Sequence, residues 1–207
     1  MSGFKKGGLF ILSSPSGAGK TTLVKKITRN KNFSVSISHT TRLPRPTEKN
    51  GKDYFFISKN NFKRLIKNKK FLEHAKVFDN YYGSSKDLVE DKLKTGKNVV
   101  FDIDWQGTRQ IRNKKLNYKL LTIFILPPSR KELLKRLLKR EKKNLKTVNK
   151  RMKSFKKDLT RWVEYDFVVI NDDLNKCYNK IMLAIKKNDK QNFDKNIIKK
   201  HVKKLLN

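Results

Sequence analysis

The stretch SSPSGAGKTT at residues 13–22 joins a short apolar run to a segment whose apolar residues have helical spacing. The preceding run GLFIL at residues 8–12 is typical of a strand buried on both faces of a parallel sheet. Leu23, Val24 and Ile27 follow at the spacing of one helix face. A glycine-rich turn between such a strand and such a helix directs backbone N–H groups inward, beside the positive end of the helix dipole. The stretch therefore predicts a phosphate-binding loop within an α/β fold.

The loop agrees with the pattern G-x-x-x-x-G-K-[ST], except that Ser14 stands where the first glycine is expected. In this pattern the lysine, here Lys20, reaches the β- and γ-phosphates of a nucleoside triphosphate, and the hydroxyl of Thr21 holds magnesium. The alternative is a strand-to-helix turn with a solvent-exposed lysine. We predict nucleotide-phosphate contacts from the whole loop: Ser14, Pro15, Ser16, Gly17, Ala18, Gly19, Lys20, Thr21 and Thr22.

The length of 207 residues predicts one domain with small insertions at most. No apolar run approaches the length of a membrane span, and the N-terminal residues MSGFKKGG lack the apolar stretch of a signal peptide. A single cysteine, Cys177, allows no intramolecular disulfide, and we interpret it as a small buried apolar residue. These features predict a soluble, cytoplasmic protein without a membrane partner.

The formal net charge is +34, from 52 Lys and Arg against 18 Asp and Glu. Such a charge attracts nucleic acid, but it equally attracts a small polyanion such as a nucleotide. The lysines are spread along the whole chain, which indicates a compositional bias rather than a dedicated groove. We therefore expect no specific nucleic-acid binding, and the sequence leaves both a monomer and a homo-oligomer open.

Strand-like and helix-like segments alternate without an internal repeat, which predicts a parallel sheet covered by helices. The predicted strands are residues 33–38, 71–77, 99–104, 120–126 and 166–170. The predicted helices lie around 62–66, through 88–93 with a stop at Gly96, after the capping-box signature at 129–132, at 147–162 and at 174–187. We predict an irregular, partly β insertion at 39–58, a loop at 81–85, a mobile connector at 139–146 and a Lys-rich amphipathic tail at 188–207.

Several short blocks along the chain together resemble the guanylate kinases of the small bacterial type. The blocks are residues 14–22, SHTTR at 38–42 with Arg45, NGKDY at 50–54, FLE at 71–73, YYGS at 81–84, DIDWQG at 102–107 and NDD at 171–173. The resemblance covers residues 8–187. It implies an α/β P-loop three-layer fold with a parallel central sheet, a small mixed α/β nucleotide-monophosphate-binding insertion and a helical lid.

The resemblance also implies domain boundaries and an activity. The guanylate kinase-like domain would comprise residues 1–190, with its core at 1–38 and 97–190, the GMP-binding insertion at 39–96, the lid at about 137–152 and a basic C-terminal tail at 191–207. The implied activity is phosphorylation of GMP, and of dGMP, by ATP with Mg²⁺. That reaction would belong to purine nucleotide metabolism and GMP recycling.

A second phosphate site is indicated by the residues that follow the predicted second strand. Arg42 and Arg45 lie three apart in a Pro-containing loop, where two planar guanidinium groups can grip one phosphate. Tyr54 and Tyr82 can each donate a phenolic hydroxyl to the same oxygens. A solvated loop for the arginines and core packing for the tyrosines are the alternatives. The resemblance implies that all four hold the phosphate of GMP.

Guanine presents an acceptor at O6 and donors at N1 and the 2-amino group, so a carboxylate fits the two donors and a hydroxyl fits the acceptor. The resemblance places Glu73 on N1 and the 2-amino group, with Ser38, Ser84 and Asp104 completing the base site. Adenine lacks the donor at N1 and would leave that carboxylate unpaired. Without the resemblance, Glu73 would be read as a surface carboxylate.

The remaining assignments concern ATP, magnesium and catalysis. Asp102 is expected to contact magnesium through water. Arg136, Arg140 and Arg151 resemble lid arginines that close over the ATP phosphates, although an exposed helix face is the alternative for Arg136. The glycine-bearing lid of the family is replaced here by LKREKK at residues 138–143. The resemblance places one further residue, Asn171, beside adenine, and it gives catalytic roles to Lys20, Arg42, Arg140 and Arg151.

Three other functions fit parts of the sequence. Another nucleoside monophosphate kinase would share the phosphate loop, but Glu73 with Ser38 argues against it. A non-catalytic protein-binding scaffold of the guanylate kinase-like type would typically lose the loop residues, whereas Gly19, Lys20 and Thr21 are present. A nucleic-acid binder acting through the basic surface would show affinity that falls steeply with salt.

Overall fold

The computed structural model describes residues 7–141, 143–187 and 193–207, and every structural statement below refers to these residues. The chain forms two compact units. Unit 1 comprises Met1–Phe10 and Thr28–Leu120, and unit 2 comprises Ile11–Ile27 and Leu121–Asn207.

Strands and helices alternate along most of the chain. The strands are β1 (Leu9–Ser13), β2 (Phe33–Val35), β3 (Ser38–Thr40), β4 (Phe55–Phe56), β5 (Phe71–Val77), β6 (Asn80–Ser85), β7 (Asn98–Asp102), β8 (Leu120–Leu126) and β9 (Phe167–Ile170). The helices are α1 (Lys20–Ile27), α2 (Lys59–Lys67), α3 (Lys86–Lys94), α4 (Trp105–Asn113), α5 (Arg130–Arg140), α6 (Leu145–Leu159), α7 (Leu174–Lys187) and α8 (Lys195–Leu206). A 3-10 helix at Thr160–Glu164 follows α6.

The central sheet has five strands in the order β2-β7-β1-β8-β9. The pairs β2–β7 and β8–β9 are parallel, with Phe33 opposite Asn98 and Ile123 opposite Phe167. All five residues of β1 are buried, as an apolar strand in the middle of a helix-covered sheet requires. The predicted α/β class with a parallel central sheet is confirmed.

A second sheet of four strands lies in unit 1, in the order β4-β3-β6-β5. Strand β6 pairs antiparallel with both β3 and β5, and β3 pairs parallel with β4. The predicted loop at 81–85 is therefore wrong, because these residues form most of β6. Phe62 stacks on the rings of Phe71 and Tyr81 at 4.6 and 5.4 Å between centroids, so it covers one face of the hairpin. The predicted strand at 33–38 is broken into β2 and the start of β3.

The helix starts are set by side-chain caps. Ser129 Oγ accepts a hydrogen bond from the N–H of Glu132 at 3.1 Å, which confirms the predicted helix start there. Helix α5 extends to Arg140 and α6 begins at Leu145, so the predicted connector at 139–146 is shorter than expected. Helix α4 was not predicted, because its only strong start signal is the single cap Asp104.

In the described part of the chain no helix has the length and apolar character that crossing a membrane requires.

The C-terminal helix packs in the core of unit 2. Its buried residues Ile198, Val202 and Leu205 lie on one face and join the hydrophobic cluster that also contains residues of β8, α5, α6 and β9. His201 Nε2 lies 2.8 Å from the carbonyl oxygen of Pro127, within hydrogen-bond distance. Residues 193–207 of the predicted tail thus end in a docked helix, and residues 188–192 lie outside the described residues.

Replacing Ile198 by alanine is expected to lower the free energy of unfolding by about 2–5 kcal/mol, because it leaves a cavity under α8. The neighbouring Ile197 is 58% exposed, whereas Ile198 is 5% exposed. Ile197→Ala is therefore a matched control and should change stability by about 0.5 kcal/mol or less. Urea unfolding of the two variants measures the difference, and equal effects would contradict the docking of α8.

Cys177 is buried on α7, as its interpretation as a small apolar residue requires. Burial, followed by the negative charge of Asp172, raises the pKa of its thiol to about 12. The thiol therefore stays protonated at neutral pH and is unsuited to nucleophilic chemistry.

Candidate nucleotide-binding sites

The predicted phosphate loop connects β1 to α1 within unit 2. Gly17 and Gly19 have φ angles of 94° and 98°, a backbone region that is strained for residues with a side chain. Helix α1 begins at Lys20, directly after the second of them. The loop therefore has the local conformation that turns N–H groups toward an anion at a helix start.

Ser14 fits its place in this loop. It is not among the described residues with a positive φ angle, so a side chain causes no backbone strain there. Its hydroxyl donates a hydrogen bond to the carbonyl oxygen of Pro15 at 2.9 Å. The departure from glycine at the first position of the pattern is therefore compatible with the loop.

Asn171 supports the phosphate loop from the end of β9. Its side chain is buried, and its Nδ2 donates to the carbonyl oxygen of Ala18 at 2.8 Å. A Cβ added to Gly19 would clash with the same amide nitrogen. Asn171 thus fixes the loop directly, and its predicted contact with adenine stays a prediction.

Three arginines of α5 and α6 approach the phosphate loop with their terminal nitrogens. Arg140 Nη2 and Arg151 Nη1 donate to the same oxygen, Ser16 Oγ, at 2.7 and 2.8 Å. Arg136 Nη1 lies 3.8 Å from the position that a Cβ on Gly19 would take. The structure therefore brings all three predicted lid arginines to the loop.

Two glutamates that the sequence analysis did not single out hold these arginines. Glu141 Oε1 lies 2.9 Å from Arg140 Nε and 3.2 Å from Arg151 Nε. Glu132 Oε1 accepts from Arg136 Nε at 2.9 Å, one helical turn away. In each case the carboxylate takes the Nε edge of the guanidinium, and the Nη end lies at the loop.

In unit 1 three of the four predicted guanine-binding residues lie in one row across the second sheet. Ser84 is opposite Ser38 in the β3–β6 pair and opposite Glu73 in the β5–β6 pair. Residues in one row point to the same face of a sheet. Ser84 Oγ donates to Glu73 Oε1 at 2.6 Å, and all three side chains are buried. Glu73 is thus no surface carboxylate.

Helix α4 supports Glu73 through two residues that were not predicted as functional. A Cβ on Gly107 would clash with Glu73 Oε2, so the carboxylate lies against the bare helix backbone. Gln110 receives the N–H of His74 at 3.1 Å and donates to its carbonyl oxygen at 2.7 Å. A glycine inside a helix is unfavourable by itself, but this signal could not be used for Gly107 because α4 was not predicted.

Asp102 and Asp104 lie on either side of the short connection from β7 to α4. Asp104 caps α4: its Oδ1 accepts from the N–H groups of Gln106 and Gly107, and its Oδ2 accepts from Gln106 Nε2 at 2.9 Å. Its contact with guanine stays a prediction. Asp102, the last residue of β7, is half-buried, and its contact with magnesium also stays a prediction.

The structure also gathers the four residues predicted to hold the GMP phosphate. Arg42 Cζ lies 5.3 Å from the ring centroid of Tyr54, and the rings of Tyr54 and Tyr82 are 6.0 Å apart. Burial, followed by the charge of Asp102, raises the pKa of the Tyr54 hydroxyl, which therefore remains a hydrogen-bond donor. Arg45 joins the group through a shared carboxylate, Glu48.

Glu48 is a further residue that the sequence analysis missed. Its oxygens accept from Arg42 Nη2 at 2.8 and 2.9 Å, from the backbone N–H of Arg45 at 2.8 Å and from Arg45 Nη1 at 3.0 Å. Burial opposes ionisation of Glu48, but the hydrogen bonds from Arg45 and Arg42 outweigh it and lower the pKa of the carboxyl. The same pairing outweighs burial in Arg42, whose pKa is raised. Both partners are therefore charged at neutral pH.

Comparison with known proteins identifies the family of the chain that carries these two sites. The family model described as "Guanylate kinase" matches residues 6–188. The chain belongs to the guanylate kinase family. The family resemblance predicted from the motif blocks is thereby confirmed, and a guanylate kinase is a phosphoryl-transferring enzyme.

Individual guanylate kinases are similar over most of their length. One from Buchnera aphidicola subsp. Schizaphis graminum is 48% identical over 183 residues, which cover 87% of each chain. One from Wigglesworthia glossinidia brevipalpis is 45% identical over 206 residues and covers 98% of this chain and 99% of its own. The crystal structure of guanylate kinase from Anaplasma phagocytophilum superposes with a TM-score of 0.73 at 31% identity, over 91% of this chain and 89% of that one.

Proposed function

We propose that this guanylate kinase family member transfers the γ-phosphoryl group of ATP to GMP, and also to dGMP, in purine nucleotide metabolism and GMP recycling. The observation that carries the proposal is the row of Ser38, Ser84 and buried Glu73 on the second sheet, with Arg42 and Arg45 in the loop that follows its strand β3. A carboxylate with hydroxyls on the sheet and two guanidinium groups in the adjoining loop suit the guanine base and the phosphate of one nucleotide.

Base selectivity follows from the burial of Glu73. GMP offers N–H donors at N1 and the 2-amino group to this carboxylate, while Ser38 and Ser84 offer hydroxyls to the base. AMP offers a lone pair at N1, so a buried charge would lose its partner. Sites of this kind reject the wrong ligand by about 10⁴-fold or more.

For the donor, the phosphate loop at residues 14–22 would hold the ATP phosphates, with Lys20 on the β- and γ-phosphates. Arg136, Arg140 and Arg151 already converge on that loop. The Nη groups of Arg140 and Arg151 would exchange the Ser16 hydroxyl for phosphate oxygens, which are stronger acceptors.

The loop also offers a ligand for magnesium. Thr21 is the second residue of α1 and offers a hydroxyl oxygen. Mg²⁺ bound to a nucleotide usually takes only one or two protein oxygens and completes its shell with phosphate and water, so Thr21 fits. Over residues 7–141, 143–187 and 193–207, no three His, Cys, Asp or Glu side chains are grouped as a metal cage. Bound Mg²⁺ supplies neutralisation of phosphate charge, and Asp102 would contact it through water.

The chemical step needs positioning and charge neutralisation. An oxygen of the GMP phosphate forms a bond to the γ-phosphorus of ATP while the bond to the β–γ bridging oxygen breaks and its electrons leave with ADP. The attacking oxygen is already anionic at neutral pH, so no strong base is needed. Lys20, Arg42, Arg140 and Arg151 would offset the repulsion between the two anions and the charge on the transferred group.

The proposal is tested by measuring ADP formation with Mg-ATP and, in parallel, GMP, dGMP, AMP, CMP, UMP and dTMP. We expect turnover with GMP and dGMP only. Turnover with another monophosphate would show that the enzyme uses a different phosphoryl acceptor. Absence of turnover with every acceptor would reject the kinase activity and direct attention to salt-dependent nucleic-acid binding.

A substitution in α4 gives a second test of the base site. Gly107→Ala adds a methyl group where Glu73 Oε2 now lies, so the carboxylate must move. Alanine favours the helix, yet overpacking a filled site costs about 1–3 kcal/mol. We expect the KM for GMP to rise about 10-fold or more while the KM for ATP is unchanged, since about 1.4 kcal/mol corresponds to a factor of 10. Unchanged GMP kinetics would place the base away from Glu73.

A further inference from the structure

The two clusters of phosphate-binding arginines share a feature that the proposed reaction does not explain. In unit 2, Arg140 and Arg151 come from different helices, and their Nη groups meet at one hydroxyl oxygen, Ser16 Oγ. Two guanidinium groups that converge on one atom repel each other, and without an anion they would separate in solvent. A single carboxylate oxygen, Oε1 of Glu141, lies within 3.2 Å of both Nε atoms.

The position of Glu141 leaves the functional ends of the arginines available. It ends α5, and its N–H bonds the carbonyl oxygen of Leu137 at 2.9 Å, so the backbone that carries the carboxylate is fixed. Its side chain is only 12% exposed. Because it occupies the Nε edges, the Nη groups keep their direction toward the loop. A phosphate that replaced Ser16 as acceptor would meet two arginines already in place.

In unit 1 a carboxylate also joins two arginines, but it contacts their terminal nitrogens, Arg42 Nη2 and Arg45 Nη1, and not their Nε edges. Glu48 gathers two guanidinium groups and one backbone N–H from Arg42 and Arg45, and its side chain is also 12% exposed. Arg42 is further fixed by a hydrogen bond from Nη1 to the carbonyl oxygen of Leu43 at 2.7 Å. The carboxylate holds the two arginines together and keeps the Arg42 guanidinium group beside Tyr54.

We propose that Glu141 and Glu48 are positioning residues, each of which holds one pair of phosphate-binding arginines ready for one nucleotide: Glu141 for ATP and Glu48 for GMP. This rests on the proposed function of the two sites. Each glutamate offsets the repulsion between its two arginines and removes side-chain freedom that the nucleotide would otherwise have to remove on binding. Each therefore acts on the affinity for its own nucleotide.

The test is a crossed comparison of Glu48→Gln and Glu141→Gln, which keep the shape of the side chain and remove its charge. Initial rates are measured with GMP and Mg-ATP varied independently. We expect Glu141→Gln to raise the KM for ATP about 3- to 10-fold with the KM for GMP within 2-fold, and Glu48→Gln to do the reverse. Each variant serves as the control for the other.

Glu164→Gln is a matched control for the loss of an arginine partner. Glu164 pairs with Arg161 at 3.0 Å, has no assigned role at either nucleotide site, and should leave both KM values unchanged. A purely structural role of Glu48 or Glu141 predicts instead a lower melting temperature and equal changes for both nucleotides. A fall in KM would also overturn the proposal, because it would mean that the glutamate competes with the phosphate.

Calorimetric binding of GMP, and of ATP without an acceptor, separates this proposal from the proposed function. If the wild-type protein binds both nucleotides but turns over no acceptor, the kinase proposal fails, while the crossed pattern in the dissociation constants still supports the two glutamates. If turnover is normal and the dissociation constants do not cross, the positioning proposal alone is rejected. Glu48→Asp and Glu141→Asp supply the comparison if a glutamine variant does not fold.

Discussion

Lys20→Ala is expected to reduce kcat/KM for phosphoryl transfer from ATP to GMP by about 10³-fold, because a preorganised cation at the transferred group is commonly worth that much. Lys20 opens α1 immediately after Gly19, so its ammonium group extends from the point where the loop N–H groups and the helix dipole meet. No other described residue of the loop carries a positive charge. The developing negative charge would therefore lose the loop's cation, and the arginines of α5 and α6 would remain.

Lys25→Ala is the matched control, since it removes the same charge from an exposed position of the same helix. It should leave kcat and both KM values nearly unchanged. Circular dichroism and thermal unfolding test whether both variants retain the fold, which is expected because both changes replace a half-buried or exposed helical lysine by a better helix former. A Lys20→Ala enzyme with wild-type turnover would show that the loop does not bind the reacting phosphates.

The phosphate loop and the buried strands could be predicted because their signals are local. The glycines with positive φ before α1 and the apolar run at 120–126 adopt structures that residues close by in the sequence determine. The motif blocks also identified residues that lie together in the structure, such as Ser38, Glu73 and Ser84. Spacing alone did not show that these three occupy one row, since their register depends on pairing between three strands.

The errors concern structure that depends on distant partners. Residues 81–85 contain glycine and serines and predict a loop, yet they form β6 because β3 and β5 flank them and Phe62 covers them. Glu48 and Glu141 are acidic residues in charged segments, where a solvated side chain is the ordinary expectation. Their contacts with pairs of arginines follow from loop closure and from helix packing, which a linear pattern does not contain.

Glu73→Gln is the second substitution with a large expected effect. The carboxylate is 3% exposed and accepts a hydrogen bond from Ser84 at 2.6 Å, so its ordering is already established before a base binds. Two charge-assisted hydrogen bonds to N1 and the 2-amino group, each worth about 1.5–3 kcal/mol, would be weakened or replaced by a clash between donors. We expect kcat/KM for GMP to fall by about 10²- to 10³-fold.

The activity with AMP distinguishes loss of recognition from loss of the fold. Glutamine can present its amide N–H to the lone pair at N1 of adenine, and it removes the unpaired buried charge, so the AMP rate should hold or rise while the GMP rate falls. Glu90→Gln removes a carboxylate that is 38% exposed and lies 3.9 Å from Lys86 Nζ, and it should change neither rate. If GMP and AMP rates fell together, Glu73 would be supporting the second sheet, not reading the base. A smaller ratio of the GMP rate to the AMP rate, with an unchanged KM for ATP, would locate guanine recognition at the Glu73 carboxylate.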